Sequence, residues 1–288
     1  MTRPGLMLRP QHVGLPVWLL PMMAWWIVGC GNPQGTTSSP TPAGVEPSNP
    51  LRIAAASDLV VALPKLGDRF RARSGIAITP TFLSSGVLAQ QIKQGAPYDV
   101  FLAANEAFVR DLAREGVIRP ESVHAYARGS LVLAVYGELG GRGGSLADLA
   151  GPEVKKIALA NPETAPYGRA GKQALERAGL WEKLQPKIVG AESVRQALLY
   201  AQKGDVEAAL VGRAIAGVPE VRTVEIDPGL YDPIVQALGI VADSSRRAEA
   251  EAFITFMLSD EGRAILQEFG FQPVKADGRR EESGKDAR

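Results

Sequence analysis

The chain has 288 residues, of which 45% are hydrophobic and 22% charged, and its formal net charge is +1. This is an ordinary globular composition with room for one large domain or two lobes, and the near-neutral charge gives no indication of a nucleic-acid partner. With two histidines and one cysteine, an internal disulfide is excluded, and a zinc site built from these residue types is close to excluded.

The first thirty residues have the pattern of an export signal. Two arginines precede an apolar stretch over 15–28, which ends at Gly29 and Cys30. The stretch carries two prolines and is short for a membrane-spanning helix. The four residues from Ile27 resemble a bacterial lipoprotein signal, in which cleavage precedes the cysteine and the thiol is acylated. We therefore predict a lipoprotein signal peptide over 1–30, with Cys30 lipidated and the membrane contacted by this lipid anchor only. The alternative is a plain signal peptide with an incidental cysteine.

The segments that flank the folded body have a different composition. Residues 31–50 are rich in Pro, Ser, Thr and Gly, which predicts a flexible tether, and the charged residues 275–288 predict a disordered tail.

Between these two segments, strand and helix patterns alternate along the chain. Strands are predicted over 52–56, 76–82, 99–103, 131–136, 156–160, 187–189, 208–211, 222–226 and 234–241. Helices are predicted over 57–74, 84–94, 106–115, 146–149, 168–178, 194–202, 245–258 and 260–269.

This alternation predicts an α/β fold with parallel sheets covered by helices. A break near 127–130 indicates a boundary, and the apolar run over 234–241 returns the chain to the first lobe. We therefore predict one lobe from 51–130 and 236–274, and a second lobe from 131–235. Open α/β sheets bind ligands beyond the carboxyl ends of their strands, so the cleft between the lobes is the predicted ligand site.

Four strand-to-helix junctions carry a hydroxyl or a small residue where a helix begins. The first N–H groups of a helix have no acceptor within it, and the helix dipole adds partial positive charge there. Several such ends that converge form an anion site without a formal cation. For one junction alone, helix capping is the ordinary interpretation, above all for Ser57, and Ser193 is interpreted as a cap. The junctions contain residues 54–58, 82–86, 161–168 and 191–194.

At these junctions, and over nearly all of 51–274, the sequence resembles the periplasmic molybdate-binding proteins of ABC importers. The resemblance implies a two-lobed type II periplasmic-binding-protein fold that closes over an oxyanion in the cleft. It implies that Ser57 and Ser85 bind molybdate or tungstate by hydroxyl and backbone N–H, and that Tyr167 and Val194 bind it through backbone N–H. The matching segments are 54–57, 84–85 with 88–92, 95–101, 161–163 with 166–168, 180–181, 191–198 and 269–271.

The resemblance further implies an extracytoplasmic solute-binding protein rather than an enzyme, one that acts as a monomer without a cofactor and whose partner is the permease of an ABC importer. One position departs from the family pattern. Many members have a tyrosine after the strand over 208–211, and its hydroxyl donates to the anion. Here Gly212 and then Arg213 follow that strand. A water, the Gly212 N–H or an inward Arg213 would replace the phenol, and a surface position for Arg213 is the other interpretation.

Two other functions remain open at this point. A binding protein for another anion, such as sulfate, has the same fold, and a cleft enzyme that acts on an anionic substrate needs an acid or base at the cleft. His124 is interpreted as a surface residue in a connection between a helix and a strand. Asp58 and Glu163 are the carboxylates nearest the junctions, and the sequence shows no partner for either. A site built only from donors disfavours protonated phosphate, whose proton would lack an acceptor.

Overall fold

The computed structural model describes residues 49–137 and 144–274. The strands are β1 (Leu51–Ala56), β2 (Ile78–Leu83), β3 (Val100–Ala103), β4 (His124–Gly129), β5 (Leu131–Tyr136), β6 (Ile157–Ala160), β7 (Ile188–Ala191), β8 (Ala208–Gly212), β9 (Val221–Glu225) and β10 (Ile234–Ile240). The helices are α1 (Ala62–Ser74), α2 (Ser85–Lys93), α3 (Glu106–Arg114), α4 (Pro166–Arg177), α5 (Trp181–Leu184), α6 (Val194–Gln202), α7 (Arg247–Leu258) and α8 (Asp260–Glu268). The predicted signal peptide with Cys30, the tether up to residue 48 and the predicted tail lie outside the described residues.

The first sheet has the strand order β2-β1-β3-β10-β4. Strands β1, β2 and β3 are parallel, and β10 is antiparallel to both of its neighbours. Because side chains alternate between the faces of a strand, β1 supplies both faces of the sheet with apolar residues. Leu51 and Ile53 pack in a core with Phe70 and Phe253, whereas Ala54 belongs to a separate core on the α2 and α3 side.

The second sheet has the strand order β7-β6-β8-β5-β9, in which β5 is antiparallel to β8 and β9. Strand β6 is parallel to β7 and β8. Its core joins Leu133 and Leu210 from the sheet to Leu175 of α4 and Leu198 of α6. The chain passes from the first sheet to the second at Ser130 and returns between β9 and β10.

The predicted two-lobed α/β organisation is confirmed, and two parts of the prediction are wrong. The sheets are mixed rather than parallel, because β10 and β5 each run antiparallel to their neighbours. Residues His124–Gly129 form an edge strand rather than a connection, with Tyr126 and Ala127 buried and His124 exposed. In the described part of the chain, no helix combines the length and the apolar character that crossing a membrane requires.

Candidate functional site

A small cavity of about 10 Å³ lies between the two lobes. It lies beyond the carboxyl ends of β1, β2 and β3 in one lobe, and at the amino-terminal ends of α4 and α6 in the other. Pockets for drug-sized ligands usually enclose roughly 300–1,000 Å³, so this cavity suits a much smaller molecule. Its lining residues are Ala56, Ser57, Asp58, Ser84, Ser85, Ala104, Ala165, Pro166, Tyr167 and Val194.

The structure brings four of the residues singled out from the sequence to this one cavity. Ser57 and Ser85 line it from the first lobe, and Tyr167 and Val194 line it from the second. All four are buried. Hydrogen-bond donors from both lobes therefore surround one enclosed space.

Ser57 is not a helix cap. It is the first residue of a short 3-10 turn whose N-cap position is Ala56, and no side chain caps that turn. Considered in isolation, Ser57 was interpreted as a helix cap. That interpretation is wrong, because β1 runs directly into a tight turn rather than into α1. The Ser57 side chain is therefore left at the cavity wall.

Ser85 is the first residue of α2 and has a partner in the protein. Its Oγ accepts a hydrogen bond from the backbone N–H of Ala104 at 2.9 Å. A hydroxyl that accepts in this way still has its own proton to donate. The bond to Ala104 thus positions the Ser85 hydroxyl as a donor toward the cavity.

The second lobe presents two helix amino-termini. Val194 is the first residue of α6, and the preceding Ser193 is its cap, as predicted, since Oγ accepts from Gln196 N–H at 3.3 Å. Tyr167 is the second residue of α4, after Pro166. Their backbone N–H groups lie in the first turn, where a helix offers no acceptor and carries partial positive charge. This arrangement favours an anion and needs no formal cation.

The Tyr167 side chain has a structural role apart from its backbone N–H. The ring is buried, and its hydroxyl donates to Asp58 Oδ2 at 2.9 Å across the two lobes. Gln236 Nε2 donates to the same carboxylate oxygen, and Tyr126 Oη donates to Gln236 Oε1 at 2.6 Å. Asp58 therefore has partners that the sequence did not reveal, whereas Glu163 is exposed and does not line the cavity.

Gly212 makes room for the Tyr167 ring. A Cβ atom at Gly212 would lie 3.0 Å from Cε1 and Cζ of that ring, and one at Gly129 would lie 2.1 Å from its hydroxyl. Where many family members carry a tyrosine, this chain has Gly212, and the ring of Tyr167 packs against that glycine. Neither Gly212 nor Arg213 lines the cavity; Arg213 is exposed and forms an ion pair with Glu225, as its surface interpretation expected.

The two lobes also meet through backbone at the rim of the cavity. Gly86 N–H donates to Thr164 C=O at 2.8 Å, which joins α2 of the first lobe to the loop before α4 of the second. A Cβ atom at Gly86 would lie 2.9 Å from both Cα and O of Thr164. The lobes are therefore closed on each other here, at a distance that glycine alone permits without movement.

Asp58 and Ser84 line the cavity, although the sequence placed them only at the junctions and assigned neither to the ligand site. Both are buried, and within the described ranges neither Asp58 Oδ1 nor Ser84 Oγ has a hydrogen-bond partner. The available signals were their positions next to Ser57 and Ser85 and, for Asp58, a carboxyl group near a junction. Burial raises the pKa of Asp58 from 3.8 to about 6, and the hydrogen bonds from Gln236 and Tyr167 oppose that shift.

We expect Asp58→Asn to stabilise the ligand-free protein at high pH. A folded-state pKa above the unfolded value means that the neutral carboxyl stabilises the fold below about pH 4, and that this contribution is lost as the pH rises through about 6. The amide carries no charge at any pH, so at about pH 8 the variant gains roughly 1–3 kcal/mol over the wild type. Urea unfolding at about pH 4.5 and 8 measures the difference; an equal effect at both pH values would contradict it.

Comparison with known proteins places these features in context. A family model described as bacterial extracellular solute-binding protein matches residues 51–272. The putative ABC transporter substrate-binding lipoprotein YvgL of Bacillus subtilis is 34% identical over 248 residues, which cover 85% of this chain and 92% of the relative. The molybdate-binding protein ModA of Rhodobacter capsulatus is 29% identical over 221 residues, which cover 76% of this chain and 86% of the relative.

A solved structure is similar over the same region. The periplasmic molybdate-binding protein of Azotobacter vinelandii matches with a TM-score of 0.73 and 33% sequence identity. The match covers 78% of this chain and 100% of that protein. The likeness thus extends over both lobes rather than over one.

Proposed function

Because the chain belongs to the family of bacterial extracellular solute-binding proteins and has the two-lobed type II periplasmic-binding-protein fold, we propose that it captures molybdate or tungstate outside the cytoplasm. The chain then delivers the oxyanion to the membrane permease of an ABC importer. The observation that carries this proposal is the small enclosed cavity with donors from both lobes. The relatives named for molybdate supply the identity of the anion.

The donors of the cavity suit a tetrahedral dianion. Hydroxyl groups of Ser57 and Ser85 come from one lobe, and first-turn N–H groups of Tyr167 and Val194 come from the other. A hydrogen bond to a charged group contributes roughly 1.5–3 kcal/mol net, so a few of them together offset the desolvation of the anion. Only the closed arrangement makes both sets of contacts, and the bound anion therefore favours closure.

Capture and delivery require no chemistry on the ligand, so the proposed protein is a carrier and not an enzyme. We expect no resident cofactor and no nucleic-acid partner, and we expect the protein to act as a monomer. Acylation of Cys30 would hold it at the outer face of the membrane, in line with the lipoprotein name of the Bacillus subtilis relative. Mass spectrometry of the protein purified from membranes tests the anchor, since a plain signal peptide leaves no lipid on the chain.

Calorimetry with the purified protein tests the ligand. We expect tight binding of molybdate and tungstate, and binding of sulfate that is weaker by about a hundredfold or more, because sulfate has shorter bonds and its oxygens reach donors spaced for a larger anion less well. Phosphate and a set of organic phosphates and carboxylates serve as controls, the latter also in a turnover screen. Tight sulfate binding without molybdate binding would assign the protein to a different anion, and product formation in the screen would indicate an enzyme.

A further inference from the structure

The two oxygens of the buried Asp58 carboxyl, which lines the cavity, differ in their hydrogen bonds. Oδ2 accepts hydrogen bonds from Tyr167 and Gln236. Within the described ranges Oδ1 has no hydrogen-bond partner, although Asp58 is fully buried and lines the cavity. A buried carboxyl oxygen without a partner costs free energy unless a ligand or a proton satisfies it.

A dianion beside an ionised carboxylate is unfavourable in a buried site, since two negative charges would meet at low dielectric. One proton shared between the carboxyl and the anion removes the conflict, because an O–H then donates where two acceptors would otherwise face each other. The proton comes either from solution onto Asp58 or from a monoprotonated oxyanion, and both routes lead to the same bound state.

The groups around Asp58 do not supply this proton or a compensating cation. Tyr167 on α4 donates to the Asp58 carboxyl, and Tyr126 on β4 donates to Gln236. Gln236 on β10 also donates to Asp58, and its amide does not titrate. Burial raises the pKa of both tyrosines well above its usual value, so each keeps its proton. Among the described residues that line the cavity, none is a lysine, an arginine or a histidine. Asp58 is the one lining group that changes its protonation near neutral pH.

We propose that Asp58 holds one proton against the bound oxyanion through Oδ1, so that the cavity takes up an oxyanion and a proton together. This inference rests on the proposed function and adds a specificity-determining residue to it. The cavity is consequently not built only from donors, as the sequence had suggested. A monoprotonated oxyanion finds an acceptor in ionised Asp58, so the size of the anion, rather than its proton, discriminates against phosphate.

The proton count on binding measures this directly. Calorimetry of tungstate in buffers with different ionisation enthalpies gives the number of protons taken up. Because burial raises the pKa of Asp58 to about 6, the ligand-free protein is ionised there at about pH 7.5, and we expect uptake of about one proton. Affinity should fall by up to about tenfold per pH unit between about pH 7 and 8.5.

Two variants assign the proton to a residue. In Asp58→Asn the uptake should drop to about zero and the affinity should lose its pH dependence, since an amide donates without a proton from solution. Asp68→Asn, which changes an exposed carboxyl of α1, should behave as the wild type. Melting curves establish that both variants fold. The proton count of the wild type tests the inference even if a variant does not fold.

Each other outcome has a definite meaning. Tungstate binding by the wild type without proton uptake overturns this inference and leaves the proposed function intact. Undiminished uptake in Asp58→Asn overturns the assignment to Asp58. Failure of both tungstate and molybdate to bind overturns the proposed function, and this inference falls with it.

Discussion

Replacing Gly86 with leucine is expected to reduce oxyanion affinity by about a hundredfold or more while both lobes stay folded. A Cβ atom at this position already approaches the Thr164 backbone to 2.9 Å, and backbone cannot yield as a flexible side chain does. The leucine therefore acts as a wedge that keeps the lobes apart. Gly86 lies in the first turn of α2, where leucine is the better helix former, so the lobe that carries it is not weakened.

A graded series makes this prediction sharper. Gly86→Ala should cost about tenfold in affinity, because a shift of a few tenths of an ångström between the lobes accommodates one carbon. Gly217→Leu is the matched control, since a Cβ at Gly217 meets nothing within 4 Å. Small-angle scattering should show the wild type contracting with molybdate and the leucine variant remaining open. Normal affinity in Gly86→Leu would show that closure at this contact is not needed for binding.

Removing the hydroxyls of Ser57 and Ser85 together is expected to weaken binding by about a thousandfold, since in the proposed site each donates to a charged ligand. The single variants should differ in a way that the structure explains. Ser57→Ala should lower affinity about ten- to a hundredfold and leave the melting temperature of the ligand-free protein unchanged, because Ser57 caps no helix. Ser85→Ala should lower affinity similarly and also destabilise the fold by roughly 1–3 kcal/mol, because the Ala104 N–H loses its acceptor.

Ser259→Ala separates ligand binding from helix capping. The Ser259 hydroxyl accepts from Gly262 N–H at the start of α8, away from the cavity lining. Its loss should cost about 1 kcal/mol of stability and no affinity. Calorimetry and thermal melts on the same samples compare the variants. If Ser57→Ala behaves like Ser259→Ala, the Ser57 hydroxyl has a structural role and does not contact the anion.

The junctions that contain Ser57, Ser85, Tyr167 and Val194 followed from local signals in the sequence, whereas the family resemblance assigned the ligand role to these four residues. Each stands where a strand gives way to a turn or a helix, and such junctions gather at one edge of an α/β sheet. The alternation of apolar strands and amphipathic helices likewise predicted the α/β fold class. These features depend on neighbours along the chain, which a sequence displays directly.

The role of Asp58 did not follow, because its partners are distant in the chain. Gln236 is 178 residues away and Tyr167 is 109 residues away, and neither spacing carries a periodic signal. The sequence also did not explain the glycine at position 212. A side chain there would collide with the ring of Tyr167, which belongs to a different element, α4. Strand β4 was missed because it is an edge strand with an exposed start, which weakens the apolar pattern of a strand.

The place of β10 between β3 and β4 has a consequence for how the protein matures. Strand β10 is translated only after the whole second lobe, so the early part of the chain lacks the strand that joins β3 to β4 until late in synthesis. Sheets closed by such remote segments fold slowly, because a long loop must be ordered before the pairing is gained. We expect this slow closure to keep the first lobe of an exported chain unfolded while it crosses a membrane, so that the lobe completes its sheet afterwards.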